Sequence, residues 1–95
     1  MVSYVEHPHD TVRVIADFQP ENKPQTGDVR YRKIRPLTFF WAGKRYDVQS
    51  VNLVYKRKIG THDAWCFAVS DHANTFVLSY TPDLLQWSLD EIQGK

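Results

Sequence analysis

Hydrophobic and polar residues alternate along much of this chain, which is the pattern of β-strands with one buried face. The alternation is clear over residues 11–18, where Val12, Val14, Ala16 and Phe18 share one side of the predicted strand. It recurs over residues 37–41, 46–55, 65–70 and 75–80. We therefore predict an all-β domain of five or six short strands.

The first predicted hairpin is centred on Ala42-Gly43. A two-residue turn there places Phe39 directly opposite Tyr46, with both rings on one face. Ala-Gly is a weaker turn signal than Asn-Gly, so a loop one residue longer remains an alternative at this point.

The next strand contains a change of alternation. Its apolar positions are Tyr46 and Val48, followed by Val51, Leu53 and Tyr55. A regular strand cannot bury one face through such a slip, because one residue moves every side chain to the other face. A bulge or sharp bend near residues 49–50 restores the alternation and curls a small sheet. We therefore predict a small barrel, SH3-like first and OB-like second; a strand that crosses from one side of the core to the other is the alternative.

The rest of the chain predicts one further hairpin and a mixed C-terminal segment. Residues 56–63 are polar and contain Gly60, which predicts a loop, and residues 71–74 have turn chemistry. Residues 84–92 fit either a helical face or a closing strand. We favour a short helical turn, begun by Pro82, followed by a short strand.

The length bounds the domain organisation. A chain of 95 residues holds one hydrophobic core. Residues 19–28 contain two Pro, one Gly and otherwise only polar residues, which is loop composition. We therefore divide the single domain into an N-terminal strand and polar loop, residues 1–28, and a compact β-barrel region, residues 29–92.

Several functional classes are disfavoured by composition. The only cysteine, Cys66, cannot form an internal disulfide, and we expect it to be a buried hydrophobe. The scattered histidines have no metal-site spacing, so we treat them as surface residues. No secretory signal, membrane span, Gly-rich phosphate loop or catalytic constellation stands out. We expect a cytoplasmic binding protein that is not an enzyme and uses no cofactor.

Charge is distributed unevenly, although the formal net charge is only +1. Residues 29–59 contain nine Lys and Arg and a single acid, whereas the segments on either side are acidic. Aromatic residues are interleaved with these cations. Cations that contact phosphates, beside rings that stack on bases, are typical of proteins that bind single-stranded nucleic acid.

The predicted nucleic-acid interface combines these cations with two rings expected to face outward. Its members are Arg30, Tyr31, Arg32, Lys33, Arg35, Phe40, Lys44, Arg45, Lys56, Arg57 and Lys58. The expected partner is single-stranded nucleic acid or a nucleic-acid-processing protein. Two alternatives remain: a protein-interaction or self-associating domain, whose basic middle meets acidic ends, and cations that only shield a solvated face and edge strands.

One stretch resembles a known family. Arg35-Pro36, then Phe39-x-Trp41-x-Gly43, then Arg45-Tyr46-x-Val48, with a terminal Trp87-x-Leu89, occur here in one order. The arrangement is similar to that of a small uncharacterised bacterial domain encoded near, or fused to, Y-family error-prone DNA polymerase homologues. The resemblance covers residues 35–92. It implies a small β-domain in a DNA-repair setting, without a mechanism.

Overall fold

The computed structural model describes residues 4–18 and 34–94, and these residues form eight β-strands. The strands are β1 (Tyr4–Glu6), β2 (Asp10–Phe18), β3 (Ile34–Trp41), β4 (Lys44–Asp47), β5 (Ser50–Ile59), β6 (His62–Ser70), β7 (Asn74–Thr81) and β8 (Gln86–Gly94). A 3₁₀ turn over Pro82–Leu84 precedes β8. Within the described residues, no helix is long and apolar enough to cross a membrane.

All eight strands belong to one antiparallel sheet with the order β4-β3-β2-β8-β7-β6-β5, and β1 pairs with β8. Strand β2 contributes to two ladders. Its first residues, Asp10 to Val12, pair with β8, and the residues from Arg13 onward pair with β3. Residues 4–6 and 10–18 are therefore an integral part of the sheet.

A second change of partner occurs at Val48-Gln49. Strands β4 and β5 lie at opposite ends of the sheet order, yet only these two residues separate them in the chain. The Val48 amide donates to the Leu37 carbonyl (2.8 Å), and the Gln49 amide donates to the Ser70 carbonyl (2.9 Å). The sheet must therefore curl until its two ends meet at this point.

The curled sheet encloses a core of large apolar and aromatic side chains. Its buried members are Val12, Phe39, Trp65, Phe67, Val69, Phe76, Leu78, Trp87, Leu89 and Ile92. The ring of Phe39 stacks on Tyr46 with centroids 5.0 Å apart, and it meets Phe76 edge-on at the same distance. Each aromatic side chain of this kind buries roughly 150–250 Å², so these rings supply much of the stabilising area.

Most of the predicted local structure is confirmed. Strand β2 matches the alternation over residues 11–18, and Phe39 pairs with Tyr46 across the first hairpin. The chain changes partner at Val48-Gln49, where the alternation slips, and a bulge in β5 follows between Val51 and Leu53.

The predicted loop over residues 56–63 is wrong. Strand β5 continues to Ile59 and β6 begins at His62, joined by a tight turn in which Gly60 has a φ of 63°. The segment is polar because residues 56–61 are exposed, and charged side chains of the two strands pair with one another. Lys58 lies directly opposite Asp63 in the ladder.

The C-terminal segment is a 3₁₀ turn followed by a strand, as predicted, although the strand is nine residues long. Leu89 pairs with Leu78 and Glu91 pairs with Val77, which leaves Asp90 as an extra residue in β8. This bulge puts Leu89 and Ile92 on the core side at a spacing of three, the spacing that imitates a helix.

The all-β class is confirmed, and the expected number of strands was too low. The bend at residues 48–49 divides what the pattern presents as one strand into β4 and β5, and β1 was not recognised. The sheet is not closed into a barrel by its described pairings, so the SH3-like and OB-like types remain predictions. The boundary between residues 1–28 and 29–92 lies outside the described residues.

The Ala42-Gly43 turn offers a test of the hairpin geometry. Both residues have positive φ, 52° and 76°, as a type I′ turn requires. Because alanine is strained in this region, Ala42→Asn should raise the free energy of unfolding by about 0.5 kcal/mol, and Gly43→Ala should lower it by about 1 kcal/mol. Chemical denaturation measures both. Ala73→Asn, in a turn without positive φ, is the control, and an equal gain there would contradict the explanation.

Candidate interaction surface and polar cleft

The predicted basic and aromatic surface is only partly within the described structure. Arg30, Tyr31, Arg32 and Lys33 lie outside the described residues. The other seven members lie on three strands: Arg35 and Phe40 on β3, Lys44 and Arg45 on β4, and Lys56, Arg57 and Lys58 on β5.

These seven residues do not converge on one face. Strands β4 and β5 are opposite ends of the sheet order, so their cations lie near two different hairpin turns. Within β5 the alternation of side chains also divides the cations. Lys56 and Lys58 point to the side of Asp63, whereas Arg57 points to the side of Asp90.

Phe40 is not an open stacking surface. It pairs with Arg45 across the hairpin, where the sequence places it, but its side chain is half-buried. The Cζ atom of Arg13, on neighbouring β2, lies 4.7 Å from the centroid of its ring. A cation–π contact therefore occupies one face of the ring that a base would need.

The β5–β6 hairpin carries a compact charge cluster. The Lys58 Nζ lies 3.1 Å from Asp63 Oδ1, and the Lys56 Nζ lies 3.7 Å from Asp63 Oδ2. Lys56 also lies over the ring of Trp65, 5.7 Å from its centroid. The hydrogen bond from Lys58 and the charge of Lys56 lower the pKa of Asp63. Two cations thus share one carboxylate, which leaves this hairpin end with a positive excess.

The β3–β4 hairpin has a similar local arrangement. The Arg45 Nε donates to Asp47 Oδ1 at 2.9 Å, and the Thr38 hydroxyl donates to the same oxygen at 2.9 Å. These two hydrogen bonds, that from Arg45 first, lower the pKa of Asp47. The Lys44 Nζ lies 5.6 Å from the centroid of the Tyr46 ring. The cations of β4 are therefore held by groups of their own hairpin.

A third cluster lies on the face of the sheet opposite the core, and sequence analysis missed it. Asp90 is 6% exposed. Its Oδ2 accepts from Arg57 Nη2 at 3.0 Å, and its Oδ1 accepts from the Ser88 hydroxyl at 2.8 Å. The His9 Nδ1 lies 3.7 Å from Oδ1. In the sequence, only the two-residue spacing of Ser88 and Asp90 indicates this cluster locally, because Arg57 and His9 are distant from them along the chain.

This cluster forms one side of a cavity of about 360 Å³. Most of its lining residues have polar side chains, although most of the surface that they expose to the cavity is apolar: His9, Thr11, Arg57, Ile59, Ser79, Thr81, Leu84, Gln86, Ser88 and Asp90. The Gln86 amide crosses to β2, where its Nε2 donates to the Thr11 hydroxyl at 2.7 Å. We call this feature the polar cleft.

Comparison with protein-family models, with curated proteins and with solved structures gives no significant match. The resemblance carried by residues 35–92 therefore stays a prediction, and any function must be argued from the described surfaces themselves.

The described structure also places Cys66 and two of the histidines. Cys66 is fully buried, as predicted, and its burial raises the pKa of its thiol. His7 and His9 stack with ring centroids 6.2 Å apart. In the part of the chain that the structure describes, no group of three or more His, Cys, Asp or Glu side chains is placed to hold a metal ion.

The lowered pKa of Asp63 predicts an acid-dependent stability. Its carboxyl has a reference pKa of 3.8 in the unfolded chain and a lower one in the fold. The contribution of ionised Asp63 to folding stability is therefore fully present above that reference value and is lost as the pH falls through the pKa of the folded state. Asp63→Asn should lower stability at neutral pH and flatten its decline below pH 4. Denaturant titrations across this pH range measure the free energy of unfolding, with Glu6→Gln on β1 as the control. If Asp63→Asn leaves the decline of stability at acid pH unchanged, the role given to Asp63 is wrong.

The Arg57–Asp90 pair should contribute more than an exposed pair. Asp90→Asn leaves the Arg57 guanidinium without its anion, and we expect a loss of about 2 kcal/mol, reduced from the fully buried case because Arg57 is half-exposed. Asp47→Asn, which removes the exposed partner of Arg45, should cost less. Equal losses in the two variants would show that burial of Asp90 has no energetic consequence.

Proposed function

We propose that this chain is a non-catalytic interaction module that adds an extended acidic segment of a partner protein to the free edge of β5. One observation carries the proposal. Among the described residues, the ten-residue strand Ser50–Ile59 pairs with β6 alone, so its other edge is unpaired. An unpaired edge presents a row of backbone N–H and C=O groups to an incoming strand.

The charge of the strand favours an acidic partner. Strand β5 contains no acid, and its side chains Lys56, Arg57 and Lys58 are 40%, 44% and 69% exposed despite their ion pairs. Cations along an edge discourage the pairing of two identical edges, because like charges approach each other. The same cations attract carboxylates of a different strand. Edge and charge together therefore favour an acidic segment over a second copy of β5.

Binding to nucleic acid, or to a nucleic-acid-processing enzyme, is our second proposal. It is favoured by the three consecutive cations of β5, whose exposed side chains can reach phosphates. It also uses Arg30, Tyr31, Arg32 and Lys33, which lie outside the described residues, and the resemblance of residues 35–92 to a domain found beside DNA polymerase homologues. It ranks second because the described cations lie at two ends of the sheet, and Arg13 covers one face of Phe40.

The finer fold type belongs to the same set of proposals. We propose an SH3-like arrangement in which the sheet curls at the Val48-Gln49 change of partner and at a bulge in β2 between Ile15 and Ala16. The positions of β4 and β5 support this arrangement, because the two strands are consecutive in the chain although they lie at opposite ends of the sheet order.

Titration with an acidic peptide tests the first proposal. The probe is a ten-residue peptide of alternating Glu and Val, and single-stranded oligothymidylate is titrated in parallel. Strand addition should protect backbone amides of β5 from hydrogen exchange, because they gain partners in the peptide. Lys56→Glu combined with Lys58→Glu should weaken peptide binding roughly tenfold, since charge complementarity is reversed. Lys44→Glu on β4 is the matched control.

Each outcome separates the proposals. Peptide binding with protected β5 amides, reduced by the β5 variant and not by the control, supports strand addition. Oligonucleotide binding that weakens steeply with salt and leaves β5 amides unprotected favours the second proposal. Protection that grows with protein concentration alone indicates pairing between two copies. Absence of all three overturns the interaction function.

A further inference from the structure

The edge of β5 that faces away from β6 changes character along its length. The first half of the strand is mainly apolar, whereas the second half has three consecutive cations, Lys56, Arg57 and Lys58. Leu53 is 58% exposed and the Lys58 side chain is 69% exposed, so both halves are open to a partner. A strand added at this edge therefore meets two chemically different halves.

The pairing with β6 shows which side chains of β5 share a face of the sheet. Val54 lies opposite Phe67 and Lys56 lies opposite Trp65, and both of these partners belong to the core. Directly paired residues lie on the same face, and successive residues alternate between faces. The core-side row of β5 therefore consists of Val54, Lys56 and Lys58. The outer row consists of Leu53, Tyr55, Arg57 and Ile59.

The two rows differ in uncompensated charge. Lys56 and Lys58 share the one carboxylate of Asp63, at 3.7 and 3.1 Å, so the core-side row keeps a positive excess. In the outer row, Arg57 is held at 3.0 Å by Asp90, and this pair lines the polar cleft without adding net charge. A carboxylate of an added strand is therefore attracted to positions beside Lys56 and Lys58 and gains little beside Arg57.

The apolar half of the strand offers contact area rather than charge. Leu53 is exposed, and its neighbour in the outer row, Tyr55, is half-buried. Apolar side chains of an added strand beside these two residues would remove their surface from water. Pairs of aromatic and β-branched residues are favourable across strands, so valine or isoleucine suits these positions.

A bulge limits the regular edge at its apolar end. The register with β6 shifts just before Leu53, which leaves Asn52 as an extra residue. The Asn52 side chain is held there, because its Oδ1 accepts from the Ser50 hydroxyl (3.0 Å) and its Nδ2 donates to the Ser70 hydroxyl (3.3 Å). A bulge interrupts the ladder locally. The regular edge available to an added strand therefore covers residues 53–59.

The direction of an added strand follows from the existing ladders. Every ladder among the described strands is antiparallel, and antiparallel pairing is slightly more stable per residue than parallel pairing. In an antiparallel addition, the first residues of the partner lie beside the cations at the end of β5. Its last residues lie beside Leu53.

From the uneven charge of the two rows, the exposed Leu53 and the bulge at Asn52, we infer that the partner segment runs antiparallel to β5 with the pattern acid, uncharged residue, acid, apolar residue, any residue, apolar residue. The first acid lies opposite Lys58 and the second lies opposite Lys56. The apolar residues lie opposite Tyr55 and Leu53. This pattern rests on the strand addition proposed above and adds the direction and the sequence class of the partner.

Two peptides of identical composition test the direction. The forward peptide is acetyl-Glu-Thr-Glu-Val-Thr-Val-amide, and the reversed peptide is acetyl-Val-Thr-Val-Glu-Thr-Glu-amide. Reversal keeps the net charge and the apolar content, but an antiparallel ladder then places the acids beside the apolar half of β5. In nuclear magnetic resonance titrations of the full chain, the forward peptide should bind about fivefold more tightly. Its dissociation constant should be on the order of 1 mM, because a short flexible peptide loses conformational entropy on binding.

Contacts and a variant locate the apolar end of the peptide. We expect intermolecular nuclear Overhauser effects between its last valine and Leu53, and slower hydrogen exchange within residues 53–59. Leu53→Thr should weaken the forward peptide about fivefold, since apolar contact area is removed while a residue that favours strands is kept. Val5→Thr on β1, where Val5 is 51% exposed, is the matched control and should leave the affinity unchanged.

The outcomes separate this pattern from strand addition itself. Tighter binding of the forward peptide, its last valine near Leu53, and a loss of affinity in Leu53→Thr but not in Val5→Thr support the pattern. Equal affinity of the two peptides, tighter binding of the reversed one, or equal losses in the two variants overturns it. If the alternating Glu and Val peptide protects β5 amides while the two short peptides bind equally, only the pattern is overturned. Absence of β5 protection with every peptide overturns strand addition as well.

Discussion

The contact between Phe39 and Phe76 is the interaction on which the rest of this fold depends. Their strands, β3 and β7, are separated in the sheet by β2 and β8, yet the two rings meet edge-on with centroids 5.0 Å apart. A single sheet without a covering helix can bury one of its faces only by curling onto itself. The contact shows that this sheet does so, and the bulge in β2 between Ile15 and Ala16 and the change of partner at Val48-Gln49 make the curl geometrically feasible.

The cations of this molecule meet carboxylates that strand pairing brings into contact with them. Arg45 pairs with Asp47 within β4, whereas the cations of β5 find their anions in later strands: Lys56 and Lys58 share Asp63, and Arg57 holds Asp90. This compensation follows from hairpin pairing, which places β6 beside β5 and the bulge of β8 within reach of Arg57. The positive charge that is concentrated in the middle of the sequence is therefore partly neutralised by ion pairs in the fold.

Arg57 connects the edge strand β5 with the buried carboxylate of Asp90 on β8. It belongs to the edge strand whose free side we propose for an acidic segment, and its guanidinium points to the opposite face from Lys56 and Lys58, toward Asp90. Asp90 is the extra residue of the bulge in β8, and its carboxylate accepts the hydrogen bond from Arg57.

The sequence by itself determined the all-β class, the first hairpin with Phe39 opposite Tyr46, and the bend near residue 49, because each depends on the alternation of side chains within a few residues. It also indicated the burial of Cys66. It misread residues 56–63, since polar residues serve exposed strands as well as loops. In residues 84–92 it left helix and strand open, since a bulge at Asp90 reproduces a helical spacing.

Only the tertiary structure decided which distant groups meet. Arg57 and Asp90 are 33 residues apart and join through strands β5 to β8. Among the described strands, the unpaired edge of β5 follows from the strand order, and Arg13 reaches Phe40 because β2 lies beside β3. Such contacts depend on strand order and on the curl of the sheet, which the alternation of single strands does not specify.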